Sequence, residues 1–265
     1  MNNPTLSDII EVVREAAGLM VPAGFDIEQK DGLANIVTSS DLAVQNFLVE
    51  KLSSLIPGSG FICEEEGLQQ YDREYTWVID PIDGTANYAR GIDSCCISVA
   101  LKQGDDVVMG VVYSPWRDEM YSAEKGRGAF LNGEPIRVSD RSMENSIMCC
   151  ALSVYTKQFS QVCSDIVLEL YPQINDVRRF GSAAMELCYT AAGKCELYFE
   201  IRLQPWDVSA GILILEEAGG KATNLDGVHP RFTGPDLVCA ANNAGNHARL
   251  LEAIRRHVQT RPYDE

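Results

Sequence analysis

Trp77-Val78-Ile79-Asp80-Pro81-Ile82-Asp83-Gly84-Thr85 is the stretch that decides how the rest of this chain is read. Its apolar start, Trp77 to Ile79, predicts the end of a buried strand that delivers Asp80. Pro81 has no N–H to give to a ladder, so pairing is expected to stop there and the chain to turn. Asp83 follows three positions on, Gly84 lets the backbone come close to a bound group, and Thr85 can open a helix. Two carboxylates, a hydroxyl and backbone N–H groups would then converge on one small volume. Carboxylates that close repel each other unless a cation lies between them. The Ile82 carbonyl adds another oxygen, and oxygen-only ligation suits Mg²⁺, which shares its shell with waters and substrate phosphate. A helix start beside such an ion is a ready anion site.

In isolation, Asp-Pro-Ile-Asp-Gly-Thr is more often a solvated turn. Two further acidic stretches shift the weight. Upstream, the apolar run Gly60-Phe61-Ile62-Cys63 leads into Glu64-Glu65-Glu66. Alternate side chains face opposite ways at a strand end, so Glu64 and Glu65 are expected to do different jobs. Downstream, Trp206-Asp207-Val208-Ser209-Ala210-Gly211 opens a helix with Asp207 at or near its N-cap, and Gly219-Gly220 stop it. Singly, these are an exposed acidic loop and an ordinary cap; together with Asp80 and Asp83 they form a candidate ligand set.

The remaining sequence fits this frame. The chain has 265 residues, 46% of them hydrophobic and 23% charged, which are the proportions of an ordinary globular protein. A net charge of -16 argues against nucleic acid or an anionic membrane as partner. It also suits the handling of an anion only if metal ions reverse the local field. The nine cysteines lack zinc-ligand spacing and several lie in apolar runs, as expected of reduced, buried thiols in a cytoplasmic protein. The first residues do not read as a signal peptide, and no apolar run is long enough to span a bilayer.

Helical spacing of Leu6, Ile9, Ile10, Val13 and Ala17 predicts an N-terminal helix. Residues 30–37 read as extended or hairpin structure around Asp31-Gly32. Thr38-Ser39-Ser40-Asp41 offers caps for a second helix, and from this stretch alone Asp41 is such a cap. Residues 94–101 and 107–113 predict a hairpin around Gly104-Asp105, followed by short strands at 120–123, 129–131 and 136–138. The second half alternates: strand 146–152, helix 160–170, helix 185–192 after Gly181-Ser182-Ala183-Ala184, strand 196–201 carrying Glu200, the Asp207 helix, strand 237–241 and helix 244–257. Small residues before a helix admit either a ligand at its N–H groups or tight packing.

With Glu64-Glu65, Asp80-Pro81-Ile82-Asp83-Gly84-Thr85 and Trp206-Asp207-Val208-Ser209-Ala210-Gly211 in this order, the chain resembles the inositol monophosphatase family of magnesium-dependent, lithium-sensitive sugar phosphatases, over nearly its whole length. The resemblance implies an α+β fold, a layered αβαβα sandwich, with an antiparallel sheet in the N-terminal half and a mixed sheet in the C-terminal half. Residues 1–140 would form the half carrying the metal motifs and residues 141–265 the half completing the site, packed as one unit. It implies Glu64, Asp80, Asp83, Asp207 and the Ile82 carbonyl as ligands of two or three Mg²⁺, with Glu65 and Lys30 behind them. Asp41 and Thr85 would orient the attacking water, with Glu64 also catalytic. Asp83, Gly84, Thr85, Gly181, Ser182, Ala183, Glu200 and Asp207 would touch substrate. Cys63 departs from the family's usual glycine and would either crowd the metal loop or expose a thiol there. The implied activity is hydrolysis of a small polyol or sugar phosphate monoester, foremost myo-inositol monophosphate, by a metal-activated water in a homodimer. Alternatives are histidinol-phosphatase, fructose-1,6-bisphosphatase or nucleotide 3′-phosphatase activity. A regulator binding RNA polymerase or RNA is the non-enzymatic one.

Overall fold

Thr5 opens the first helix through a capping box: its N–H and hydroxyl both donate to the Asp8 carboxylate at 2.7 Å. The computed structural model describes residues 4–20, 27–29, 36–65, 67–153 and 156–258. Helix α1 (Leu6–Ala17) is followed by β1 (Ile27–Gln29) and β2 (Ile36–Thr38), which pair antiparallel. Lys30 and the expected turn at Asp31-Gly32 lie outside the described residues. Helix α2 (Ser39–Leu55) packs beside α1.

A seven-stranded sheet comes next, in simple sequence order: β3 (Gly60–Cys63), β4 (Tyr75–Asp83), β5 (Cys96–Gln103), β6 (Asp106–Ser114), β7 (Glu119–Glu124), β8 (Ala129–Leu131) and β9 (Glu134–Ile136). One helical turn, α3 (Thr85–Tyr88), follows β4. The strands are apolar on both faces. Trp77, Ile79, Ile97, Val99 and Val111 pack with Ile9, Val13, Val44 and Leu48 of α1 and α2. Val78, Ala100, Val112 and Tyr121 face the other way. This double burial is why Trp77 to Ile79 reads as an unbroken apolar run.

The sheet departs from expectation in three places. It is not wholly antiparallel: β3 runs parallel to β4, made possible by the long connection between them. Pro81 does not end β4, which pairs on to Asp83. Asp80 faces Ser98 and Asp83 faces Cys96, with a register shift between them, so the proline sits in a bulge that needs no N–H. The strand expected at 136–138 lies earlier, because Asn132 (φ 51°) and Gly133 (φ 83°) make a two-residue hairpin turn joining Leu131 to Glu134. The Val138 N–H instead meets the Ala218 carbonyl.

A five-stranded sheet forms from β10 (Ile147–Cys150), β11 (Asp176–Arg178), β12 (Leu197–Leu203), β13 (Lys221–Thr223) and β14 (Asp236–Ala241), ordered β11-β10-β12-β14-β13. It is mixed: β11, β10 and β12 are parallel, and β14 is antiparallel to both neighbours. Helices α4 (Ser160–Leu170) and α7 (Ala244–Val258) cover its outer face. Helices α5 (Ala183–Ala191) and α6 (Pro205–Glu217) lie between the two sheets. The layers are therefore α1/α2, sheet, α5/α6, sheet, α4/α7. Close approach in the middle layer depends on small residues: a Cβ on Gly211 would stand 2.9 Å from Leu187 atoms, and one on Gly110 would stand 3.0 Å from the Ala210 carbonyl.

His247, buried in α7, shares a 2.9 Å hydrogen bond with Thr223 Oγ1, and burial pushes its pKa down to about 4. The folded protein thus refuses a proton that the unfolded chain accepts below about 6.5. Stability from this group is present above pH 6.5 and is lost as pH falls towards 4. Calorimetry across that window should show a Tm decrease about 2–5 °C larger for wild type than for His247→Gln, which keeps a polar partner for Thr223.

Candidate active site

Four helix starts converge on the end of β4, each led there by its own local chemistry. At α2, Thr38 is the N-cap and Asp41 the third helical residue. The Thr38 N–H and hydroxyl donate to Asp41 Oδ2 at 2.7 and 2.5 Å. The other oxygen, Oδ1, accepts from Thr85 Oγ1 at 3.3 Å, so Asp41 both caps its helix and reaches the site. At α6, Gln204 is the N-cap and Pro205 the first residue. Asp207 sits third, its Oδ2 accepting the Gln204 N–H at 2.7 Å.

At α5, Gly181 adopts φ 81° and Ser182 is the N-cap. Asp83 Oδ2 accepts from Ser182 Oγ and from the Ala184 N–H, both at 2.7 Å. The first N–H groups of α5 thus bind a carboxylate of the chain itself, whereas the sequence pattern left them open to a ligand or to packing. At α3, Gly84 is the N-cap with φ 90°. This helix is a single turn, so its dipole is small and the local N–H groups carry the effect. Thr85 Oγ1 also donates to the Ile82 carbonyl at 3.0 Å, and Asp80 Oδ1 accepts the Ile82 N–H at 3.0 Å.

The acidic side chains form one electrostatic unit. Burial raises Asp80 well above the usual carboxylate range, and its next three influences are all carboxylates: Glu64, Asp83 and Asp207. Glu64 and Asp80 share a hydrogen bond. Asp207 is likewise raised well above its ordinary value, first by burial, then by Asp83 and Glu64. Asp83 is pushed up to about 6 by burial, against the pull of its bonds from Ser182, Ala184 and Ala183. Burial also lifts Asp41 to about 6 and Glu200 to about 7. Glu200 accepts the Tyr198 hydroxyl at 2.9 Å and lies within electrostatic reach of Asp83 and Asp207.

Among the described residues, no group of three or more His, Cys, Asp or Glu side chains stands arranged to hold a metal ion. The donor chemistry nevertheless fits one. Asp80, Asp83 and Asp207 are each anchored to hydrogen-bond donors through one oxygen, and an anchored carboxylate has a second oxygen to offer. Buried, mutually repelling carboxylates with a backbone carbonyl beside them are the surroundings an oxygen-preferring divalent cation relieves.

Glu65 is buried, its backbone N–H and carbonyl clamped by the Gln45 amide at 2.9 and 2.8 Å. Cys63 is fully buried in the core under α1 and α2 and exposes no thiol. Three residues escaped the sequence reading. Gln45 lies four positions after Asp41, on the same face of α2, and that spacing was the available signal. Asn87 Nδ2 donates to the Ser94 and Phe180 carbonyls, both at 2.7 Å, tying the β4 turn to the α5 entrance. Glu186 accepts the Phe180 and Gly181 N–H groups at 2.6 and 3.0 Å and shapes that entrance. Neither of the last two carries a local sequence signal, because their partners are distant or lie in irregular backbone.

The family model for the inositol monophosphatase family matches residues 2–259. An inositol-1-monophosphatase of Caulobacter vibrioides is 34% identical over 93% of this chain and 99% of its own. The Nus factor SuhB of Escherichia coli K12 is 35% identical over 95% of this chain and 94% of its own. The crystal structure of the extragenic suppressor protein suhB from Bartonella henselae superposes with a TM-score of 0.86 at 30% identity, covering 94% of this chain and 98% of that one.

Proposed function

The chain belongs to the inositol monophosphatase family, and from that premise we propose that it is a magnesium-dependent phosphatase of a small polyol or sugar phosphate monoester, foremost myo-inositol monophosphate. The observation that carries this reading is the convergence of Glu64, Asp80, Asp83 and Asp207, drawn from both halves of the chain, on one buried acidic volume beside Thr85. These four side chains and the Ile82 carbonyl would hold two or three magnesium ions, with Lys30 and Glu65 behind them. Bound magnesium supplies positive charge to the phosphate oxygens and acidity to a nearby water.

The chain's own residues do the rest. Thr85 Oγ1 donates its O–H to Asp41 Oδ1 or to the Ile82 carbonyl in a hydrogen bond, which leaves its lone pairs to accept one from a water O–H. With the Thr85 O–H turned to Asp41, the water is fixed for attack on phosphorus: the new P–O bond forms as the ester P–O bond breaks, the water's proton passes through Thr85 Oγ1 to Asp41, and the departing alkoxide takes a proton from a second water. Backbone N–H groups at Gly84 and Thr85 hold a phosphate oxygen. Gly181, Ser182 and Ala183 border the polyol, and Glu200 accepts its hydroxyls. Thr85→Ala should lower kcat by about 10²–10⁴ in a phosphate-release assay, whereas Thr85→Ser should retain most activity.

Glu200 separates substrate recognition from chemistry. With one charge-assisted bond lost, Glu200→Gln should raise KM for inositol phosphate about tenfold while leaving kcat/KM for a simple aryl phosphate within about twofold. Equal losses on both would count against a sugar contact. The test of the whole reading is a panel of inositol, histidinol, fructose bisphosphate and nucleotide 3′-phosphate esters, with and without magnesium. The same reading includes a homodimer, which sedimentation velocity measures directly. Relatives named Nus factor SuhB favour a second reading, a regulator that binds RNA polymerase or RNA. No phosphate release across the panel at any magnesium concentration would select it. Among the described residues, no helix is long and apolar enough to cross a membrane.

A further inference from the structure

All nine cysteines are buried, and none is in a disulfide. Cys149 and Cys195 differ from the rest in their geometry. Their sulfur atoms stand 3.2 Å apart across 46 residues of sequence. Cys149 lies in β10, paired with Arg178 of β11 on one side and Tyr198 of β12 on the other. Cys195 follows the turn that ends α5 and is flanked by exposed Lys194. Both belong to the apolar cluster on the face of the sheet under α5. A disulfide needs its sulfurs about 2.05 Å apart, so a movement of about 1 Å would suffice. The movement falls on Cys195, which lies between α5 and β12 outside the strand ladder, its N–H held by the Tyr189 carbonyl at 3.3 Å.

We propose that Cys149 and Cys195 are an oxidisable dithiol, a modification site at which a peroxide joins β10 to the loop after α5. The Cys195 sulfur attacks one peroxide oxygen, the O–O bond breaks, and the departing hydroxide takes up the thiol proton as water. Cys195 is then a sulfenic acid. The Cys149 sulfur attacks it, the S–O bond breaks, and hydroxide leaves with the Cys149 proton as a second water. Two electrons pass from the two sulfurs to the peroxide, which is reduced to two waters. Cys195 is the attacking member. The hydrogen bond donated by Cys149 lowers its pKa, with Arg178 and Lys194 adding positive charge nearby. Burial raises each of the other seven thiols, by contrast. The bond closes at a place remote from the carboxylate cluster in sequence, and no step of the proposed hydrolysis uses either sulfur.

The test treats the native, reduced protein with a small excess of hydrogen peroxide, then alkylates it in denaturant and measures intact mass and peptide maps. The expected product has lost two hydrogen atoms, carries seven alkylated cysteines of the nine, and yields a Cys149–Cys195 linked peptide. Dithiothreitol should restore all nine. Cys149→Ser should instead accumulate a sulfenic acid on Cys195 that dimedone traps. If that variant does not fold, the wild-type map decides alone. Nine alkylated thiols after peroxide, a bridge between any other pair, or oxygen added to Cys195 without a bridge would each overturn the proposal.

Discussion

Replacing Asp80 with asparagine is expected to lower phosphatase activity by about 10³-fold or more while making the metal-free protein more stable. The two effects share one cause. Asp80 is 2% exposed, and after burial itself the neighbours that act on it are Glu64, Asp83 and Asp207, all of its own sign. Asparagine keeps an oxygen to accept the Ile82 N–H and removes the charge. The repulsion falls, so the Tm measured in chelator should rise by about 2–6 °C. On the proposed reading the same change removes a magnesium ligand, so the Tm increase expected from magnesium in wild type should shrink or vanish. Activity, chelator Tm and magnesium titration together decide the matter. Near-normal activity with unchanged magnesium affinity would show that these carboxylates do not hold the metal.

Gly84→Ala is expected to cost about 2–4 kcal/mol in stability and at least 10²-fold in activity. Gly84 has φ 90°, a conformation L side chains rarely adopt. A Cβ there would stand 2.9 Å from the Ser94 carbonyl and 3.2 Å from the Gly181 carbonyl. Both obstacles are backbone and cannot rotate away. Gly181 leads into α5, whose Ser182 and Ala184 hold Asp83, so the added methyl would push apart the two parts that share the site. Urea unfolding and phosphate release measure the two effects. Gly126→Ala, also at positive φ but with no atom within 4 Å of the new Cβ, is the matched control and should cost only backbone strain of about 1 kcal/mol.

The elements most legible in the chain were those that announce themselves locally. Helix α1, with Leu6, Ile9, Val13 and Ala17 at helical spacing, has the expected bounds. The Gly104 hairpin joins Gln103 to Asp106 as its turn residues required. Asp41 shows the limit of this. Read as a cap it belongs to Thr38, and read as a catalytic group it belongs to Thr85; the structure assigns one carboxylate oxygen to each. Pro81 misled for a similar reason. A proline ends a regular ladder, but a bulge opposite β5 absorbs it, and the bulge depends on the partner strand.

Local chemistry along the polypeptide specified which oxygen donors exist and which helix or strand carries each, because periods of two and 3.6 residues and capping rules act over a few positions. Folding in three dimensions settled what those donors face. Ser182 meets Asp83 across 99 residues, and Asn87 meets Phe180 across 93. No short-range pattern encodes such a meeting. It follows from stacking two sheets around α5 and α6, where small residues set the spacing and burial makes each carboxylate feel the others.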